Sequence, residues 1–315
     1  MQFHLKYSPP KQGFEMNHTH QIFMMGSCFS ENIGAILKGK RFRVYDNPNG
    51  ILFNPSSIHQ CLDTLIHSRP MDEKYFLNRD GIFFSYLHHS SIHDEYKNDL
   101  HKKINQVNKT ALQVLKDADF LIITFGNAYV YKHLELNSIV ANCHKQPNSV
   151  FEKSLLSVDT IVSAYSAIIK DLQVLNPRLK IIFTVSPVKY LKDGVIENNL
   201  SKSTLLLSVH QLVNQNSNCF YFPAYELVTD DLRDYRFYKE DLAHPNDQAI
   251  EYVWRKFSDC FFSEQTVLLN KEIKKLNTAL NHRKLVANSA EALKLNDFIL
   301  KQKALIKNLN PAIGL

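Results

Sequence analysis

The sequence predicts a three-layer α/β/α domain on a central parallel sheet, followed by C-terminal helices. Three observations predict it. Short apolar runs at 21–25, 120–125, 180–185 and 219–222 are continuous rather than alternating, as strands covered on both faces require. Between them lie segments of helical period, at 33–38, 55–67, 100–116, 155–175, 201–215 and 248–262. Strands alternating with helices of this length imply right-handed crossovers and helices on both faces of the sheet.

The first strand stops at Gly26, and a helix follows at once. The stretch 72–96 breaks the alternation. It carries Tyr75, Phe76, Phe83, Phe84 and Tyr86 around the turn Asn78-Arg79-Asp80-Gly81, and reads as a β-hairpin or long loop inserted over the sheet. Such insertions often carry substrate contacts. In 111–115 and 161–169 apolar residues recur at three and four, the period of a helix face. Pro147 and Pro177 fall in connections. From Ser263 the pattern is purely helical: Leu268, Leu269, Ile273, Leu276 and Leu280 form one stripe, and Leu285, Ala292, Leu295 and Ile299 another. The expected organisation is one α/β domain over 1–262 and a helical extension over 263–315. That extension suits packing on the core or a homodimer surface.

Composition excludes several classes. The 315 residues are 44% hydrophobic and 22% charged, ordinary for a soluble globular chain. The net charge of +6 is mild, and its lysines gather late, from Lys271 to Lys307. With no arginine-rich run, RNA-binding signature or Cys/His finger spacing, no nucleic-acid partner is expected. Cys28, Cys61, Cys143, Cys219 and Cys260 are widely spaced without a CxxC, so neither a zinc ribbon nor a thioredoxin motif is present. Isolated thiols suit a reducing compartment. The start, Met1-Gln2-Phe3-His4-Leu5-Lys6-Tyr7, lacks the pattern of a signal peptide, and no apolar run approaches the roughly 20 residues of a membrane span. The expectation is a cytoplasmic protein with no membrane partner and no cofactor. Only nine glycines occur, so each more plausibly answers a backbone need.

Two motifs can carry chemistry. The first is the turn Gly26-Ser27-Cys28 between strand and helix. Ligands of open α/β sheets bind outside the carboxyl ends of the strands, and a side chain here faces the positive end of the following helix. That field favours an oxyanion or a thiolate and can draw a cysteine pKa down from about 8.5 to roughly 3.5–7.5. The bland reading makes Ser27 a helix cap and Cys28 a small buried filler. The second motif is Asp241-Leu242-Ala243-His244, just before Pro245. One loop can hold both side chains, with the carboxylate orienting an imidazole that serves as base. Its bland reading is a pair of helix caps.

The order and spacing of the two motifs resemble the SGNH hydrolases, with a nucleophile after the first strand and a late DxxH. Gly26-Ser27-Cys28-Phe29-Ser30 also resembles the Gly-Ser-Cys-Phe-Ala signature of the GSCFA-domain family within that superfamily, with Ser30 in place of Ala. Further stretches are similar to the same family: 47–55, 124–129, 140–145, and 221–238 leading into Asp241 and His244. The likeness runs over roughly 20–260.

The resemblance implies a flavodoxin-like version of the three-layer fold, and hydrolysis of an acyl ester through an acyl-enzyme. It puts the nucleophile on Cys28, or on Ser27 if the register slips by one, with His244 as base and Asp241 as its orienting partner. Gly50 matches an oxyanion-donating glycine. Gly126 matches the third block, whose Asn falls on Ala128; Asn127, one place early, could supply that donor if the turn is rearranged. The substrate implied is a small-molecule or saccharide acyl ester, such as an O-acylated carbohydrate. An O-acyltransferase using the same residues, or a non-catalytic carbohydrate-binding module, fits the sequence as an alternative.

Other residues stay open at this point. His88, His89 and His93 with Cys143-His144 invite a metal reading, but their spacing fixes no known geometry. Contact with substrate at the rim suits them better, His89 and His144 foremost, and a solvated or packing role better still. Arg233, Asp234 and Arg236 suit ion pairs that hold the DxxH loop, or a clamp on an anionic substrate. Tyr129 and Tyr131 could stack on a sugar ring, whereas Trp254 sits in a helical stripe that favours the core.

Overall fold

The computed structural model describes residues 5, 7–282 and 290–314. Five strands form the central sheet: β1 (Gln21–Gly26), β2 (Arg43–Asp46), β6 (Phe120–Phe125), β10 (Lys180–Val185) and β11 (Cys219–Tyr221). They run parallel in the order β11-β10-β6-β1-β2. This is the flavodoxin-like order, and the chain reverses its winding direction between β1 and β6. The short edge strand β2 was not among the sequence-predicted strands. Arg43 is exposed and the other three residues only half-buried, so it lacks a continuous apolar run.

Two hydrophobic layers cover the sheet. On one face α2 (Pro55–Ile66), α3 (Lys97–Asp117), α4 (Val158–Leu175) and α5 (Val195–Gln215) pack on Phe23, Ile123, Phe125 and Phe183. On the other, α1 (Cys28–Gly39) and α7 (Asp247–Phe261) pack on Ile22, Met24, Ile122 and Ile182. Successive strand residues thus feed opposite cores, which is why each strand reads as uninterrupted hydrophobics. Trp254 lies in the second layer beside Phe257, as its place in the helical stripe suggests.

Two antiparallel sheets stand outside this layer. The 72–96 stretch contains β3 (Phe76–Arg79), β4 (Ile82–Ser85) and β5 (His93–Asp94). Arg79 pairs with Ile82, so Asp80 and Gly81 form a two-residue turn, both at positive φ. The other sheet, β8-β7-β9, comprises β7 (Tyr129–His133), β8 (Ser138–Val140) and β9 (Phe151–Leu155) and follows directly on β6. Sequence periodicity did not resolve it.

After β11 come the single turn α6 (Ala224–Glu226) and a π-helical stretch, Leu227–Leu232, leading to the DxxH loop. Beyond α7 lie α8 (Glu264–Asn281) and α9 (Ala290–Leu309), which share a separate cluster of Leu269, Ile273, Leu276 and Ile306. Leu268 and Leu280, expected in the α8 stripe, point outward. Leu285 lies outside the described residues. Among the described residues, no helix is long and apolar enough to cross a membrane.

Candidate active site

The turn after β1 is fixed by the strand beside it. Gly26 has φ +132°, and a Cβ there would meet the Thr124 carbonyl oxygen at 2.2 Å, so only glycine fits. Its N–H donates to Asn47 Oδ1 at 2.9 Å, and its carbonyl accepts from Leu52 N–H at 3.0 Å. Ser27 then caps α1 without a side-chain cap bond. Its hydroxyl is buried and has no partner among the described residues. Ser30, the departure from the signature, is fully buried and uses its Oγ: it donates to the Met25 carbonyl at 3.1 Å and lies 2.7 Å from Thr124 Oγ1.

Ser27, Cys28 and His244 line one cavity of about 410 Å³ at the switch point between β1 and β6. The DxxH loop delivers the histidine. His244 Nδ1 lies 2.6 Å from Asp241 Oδ2, and Asp241 Oδ1 accepts the N–H groups of Ala243 and His244, each at 2.9 Å. These bonds hold the Asp241 carboxyl down at about 2. An ionised partner on Nδ1 fixes the proton there and leaves Nε2 as the basic nitrogen. The loop itself is braced: Lys239 N–H donates to the His244 carbonyl, Lys189 N–H to the Ala243 carbonyl, and Asn246 Nδ2 to the Arg236 carbonyl. Asp234 Oδ1 accepts the Arg236 N–H, so the residues around Arg233 shape this loop.

The environment of Cys28 corrects the expectation of a depressed thiol. Its pKa is raised, first by burial and then by Glu31. Its own backbone N–H and Lys239 pull the other way and are outweighed. The helix-terminus field acts, but a half-buried sulfur beside a carboxylate remains a thiol.

Of the residues expected as oxyanion donors, Gly126 and Asn127 line the cavity and Gly50 does not. The Gly50 N–H donates to the Asn47 carbonyl at 2.8 Å, and a Cβ there would meet His89 Cβ at 2.4 Å. The N–H groups of Gly126 and Asn127 both donate to the Phe53 carbonyl. The Asn127 side chain is free to serve. Its Oδ1 accepts from Tyr129 N–H at 3.0 Å and Ser201 Oγ at 2.7 Å, which leaves Nδ2 for the cavity that Asn127 lines. Ala128, where the third-block Asn falls, is fully buried, with its N–H on Ser201 Oγ. Cys28 and Phe29 open α1, where the first N–H groups of a helix have no intrahelical acceptor.

Sequence reasoning missed the pair on α5 that sets this turn. Beside Ser201, Lys202 is 1% exposed and donates to the carbonyls of Gly126 at 2.6 Å and Ser186 at 2.7 Å. No carboxylate faces it among these bonds, and burial draws its ammonium down to about 7. A lysine in an amphipathic helix gives no sequence signal of such a role.

The remaining wall is aromatic. Tyr129, Tyr131 and Tyr190 line the cavity, with Lys153 Nζ 4.4 Å from the Tyr129 ring centre and paired to Asp193. His89 and His144, expected at the rim, do not line it. His89 packs over Gly50 with Nδ1 near Ser91 Oγ, while His144 is buried with Nε2 donating to the Ser85 carbonyl at 2.8 Å. Among the described residues no group of three or more His, Cys, Asp or Glu side chains is arranged to hold a metal ion.

The GSCFA family model matches residues 21–257. No curated protein matches. Solved structures that match include a carbohydrate esterase family 3 protein from Talaromyces cellulolyticus, at 9% identity and TM-score 0.38, covering 80% of this chain and 99% of that one. Another is a protein from Parabacteroides merdae described as a GDSL-like lipase, at 15% identity and TM-score 0.41, covering 80% and 98%.

Proposed function

The chain belongs to the GSCFA family, and from its site we propose that it is an SGNH-type esterase or deacylase that cleaves an O-acylated carbohydrate through an acyl-enzyme. One observation carries the reading. Ser27, Cys28, Asn127 and the Asp241-oriented His244 line a single cavity at the switch point of the sheet. Each has a role in acyl transfer. His244 Nε2 takes the proton from Cys28 Sγ, and the sulfur attacks the acyl carbonyl. Because the resting thiol is protonated, this general-base step is required rather than optional. Cys28 N–H and Asn127 Nδ2 hold the oxyanion; losing one such donor costs about 2.7–4 kcal/mol of barrier. The imidazolium then protonates the leaving alcohol oxygen, and water deprotonated by His244 releases the acid.

Tyr129 and Tyr131 support a sugar as the alcohol part, since aromatic faces pack on the C–H faces of sugar rings. The test uses p-nitrophenyl acetate and a peracetylated monosaccharide with the parent, His244→Ala, Cys28→Ala and Ser27→Ala. Turnover should fall at least ~10³-fold in His244→Ala, with the fold retained by circular dichroism. Loss in Cys28→Ala together with full activity in Ser27→Ala assigns the nucleophile to Cys28. Equal rates for parent and His244→Ala on every ester would remove the catalytic reading.

A further inference from the structure

A second cavity, of about 180 Å³, lies between α2, α3 and the loops flanking β3 and β4, and it shares no lining residue with the one at the catalytic turn. Its lining is chemically odd. Three buried side-chain polar atoms that line this cavity have no hydrogen-bond partner among the described residues: Asn49 Oδ1, Ser57 Oγ and Asn108 Oδ1. Asn49 is 4% exposed and Ser57 3%. Folded chains seldom leave buried acceptors unpaired, because each then loses its hydration without replacement. Three in one cavity mark a place where donors from another molecule complete the bonding.

The fixed groups define that molecule. The Asn49 amide is held by its other end, Nδ2, which is 3.2 Å from His88 Nε2, so Oδ1 is the end left over. Burial lowers His88 to about 4, which keeps it neutral at ordinary pH. The lining carboxylates are already compensated. Asp63 takes Arg69 on both oxygens, Oδ2 at 2.7 Å and Oδ1 at 3.2 Å, and Asp72 pairs with Lys74. No charge is left to favour an ion of either sign. Asn49 Oδ1 and Asn108 Oδ1 accept and the Ser57 hydroxyl both accepts and donates, so the ligand must carry hydroxyls, and Met71, Tyr75 and Leu87 offer apolar surface to its C–H groups.

We infer that this cavity is a binding site for a small uncharged polyol, of glycerol to monosaccharide size, whose hydroxyls donate to Asn49 Oδ1 and Asn108 Oδ1 and exchange a hydrogen bond with Ser57 Oγ. It stands independently of the catalytic reading. A cavity this large also has room for several waters, at about 30 Å³ each, so the experiment must separate ligand from solvent.

Glycerol, myo-inositol and D-glucose are titrated into the isotopically labelled full chain, and amide chemical shifts are followed in the parent, Ser57→Ala and Asn108→Leu. At least one polyol should give saturable shifts confined to amides around residues 49, 57 and 108, with binding at least tenfold weaker in each variant. Two separate variants keep the comparison usable should one fail to fold. Polyols excluded from the surface act in proportion to concentration and without regard to this cavity. Unsaturable shifts that are the same in parent and variants would overturn the inference. So would a crystal soaked in each polyol whose cavity holds ordered water alone.

Discussion

Cys28 shows how one residue can be pulled by opposing fields. The Cys28 backbone N–H and Lys239 favour a thiolate, yet burial and the Glu31 carboxylate win and the pKa rises. Alkylation of Cys28 by iodoacetamide, followed by mass spectrometry of its peptide, should therefore climb with pH to a midpoint above the ordinary thiol value of about 8.5. Glu31→Gln should move that midpoint down. A rate already at plateau by pH 7 would refute this account of the thiol. Lys202 gives a second pH-dependent expectation. Its folded pKa is lowered to about 7 from a reference of 10.5, so between those values the folded chain binds fewer protons than the unfolded one. Stability then rises with pH across that window, and the contribution is level below it, where both states carry the proton. Urea midpoints at pH 7 and pH 10 should show this rise in the parent and lose it in Lys202→Met; equal pH dependence in both would count against it.

At the scale of elements, the strand–turn–helix unit was legible because its parts are contiguous: an apolar run, a glycine, then the helix start. Its bracing was not, since Asn47 Oδ1, the Phe53 carbonyl and Ser201 Oγ arrive from segments far along the chain. Gly50 illustrates the limit. Its positive φ is real, but it serves a turn closed on Asn47 under His89, not the cavity. Ser30 is a pairwise case. Its hydroxyl shares a buried bond with Thr124 Oγ1, across the joint between α1 and β6. Ser30→Ala alone should cost about 1–3 kcal/mol, because Thr124 is left unpaired. Ser30→Ala with Thr124→Val should recover much of that loss. Denaturant unfolding of the two single variants and the double variant gives the coupling; strictly additive costs would show that the bond contributes nothing.

Across the whole molecule, the parallel sheet was readable because strands buried on both faces cannot alternate, whereas half-buried antiparallel strands such as β7 and β9 mix Tyr129 and Lys153 with apolar neighbours. That second sheet builds one wall of the cavity, opposite in chain order to the DxxH loop, so the site joins segments more than a hundred residues apart. The division of labour has a kinetic consequence. The groups proposed to make and break bonds sit on the parallel sheet and the late loop, while β7 offers Tyr129 and Tyr131 as surface. Surface that contacts the substrate equally in ground and transition states changes KM and leaves kcat alone. An aromatic stacking contact contributes about 0.5–1.5 kcal/mol, so Tyr131→Ala should raise KM for a peracetylated sugar roughly tenfold at most, with kcat preserved. Its effect on p-nitrophenyl acetate should be smaller, since that ester has no sugar ring to stack. A fall in kcat on both esters would instead mean that the β7 wall helps to position the catalytic groups, and that the two sheets act as one unit.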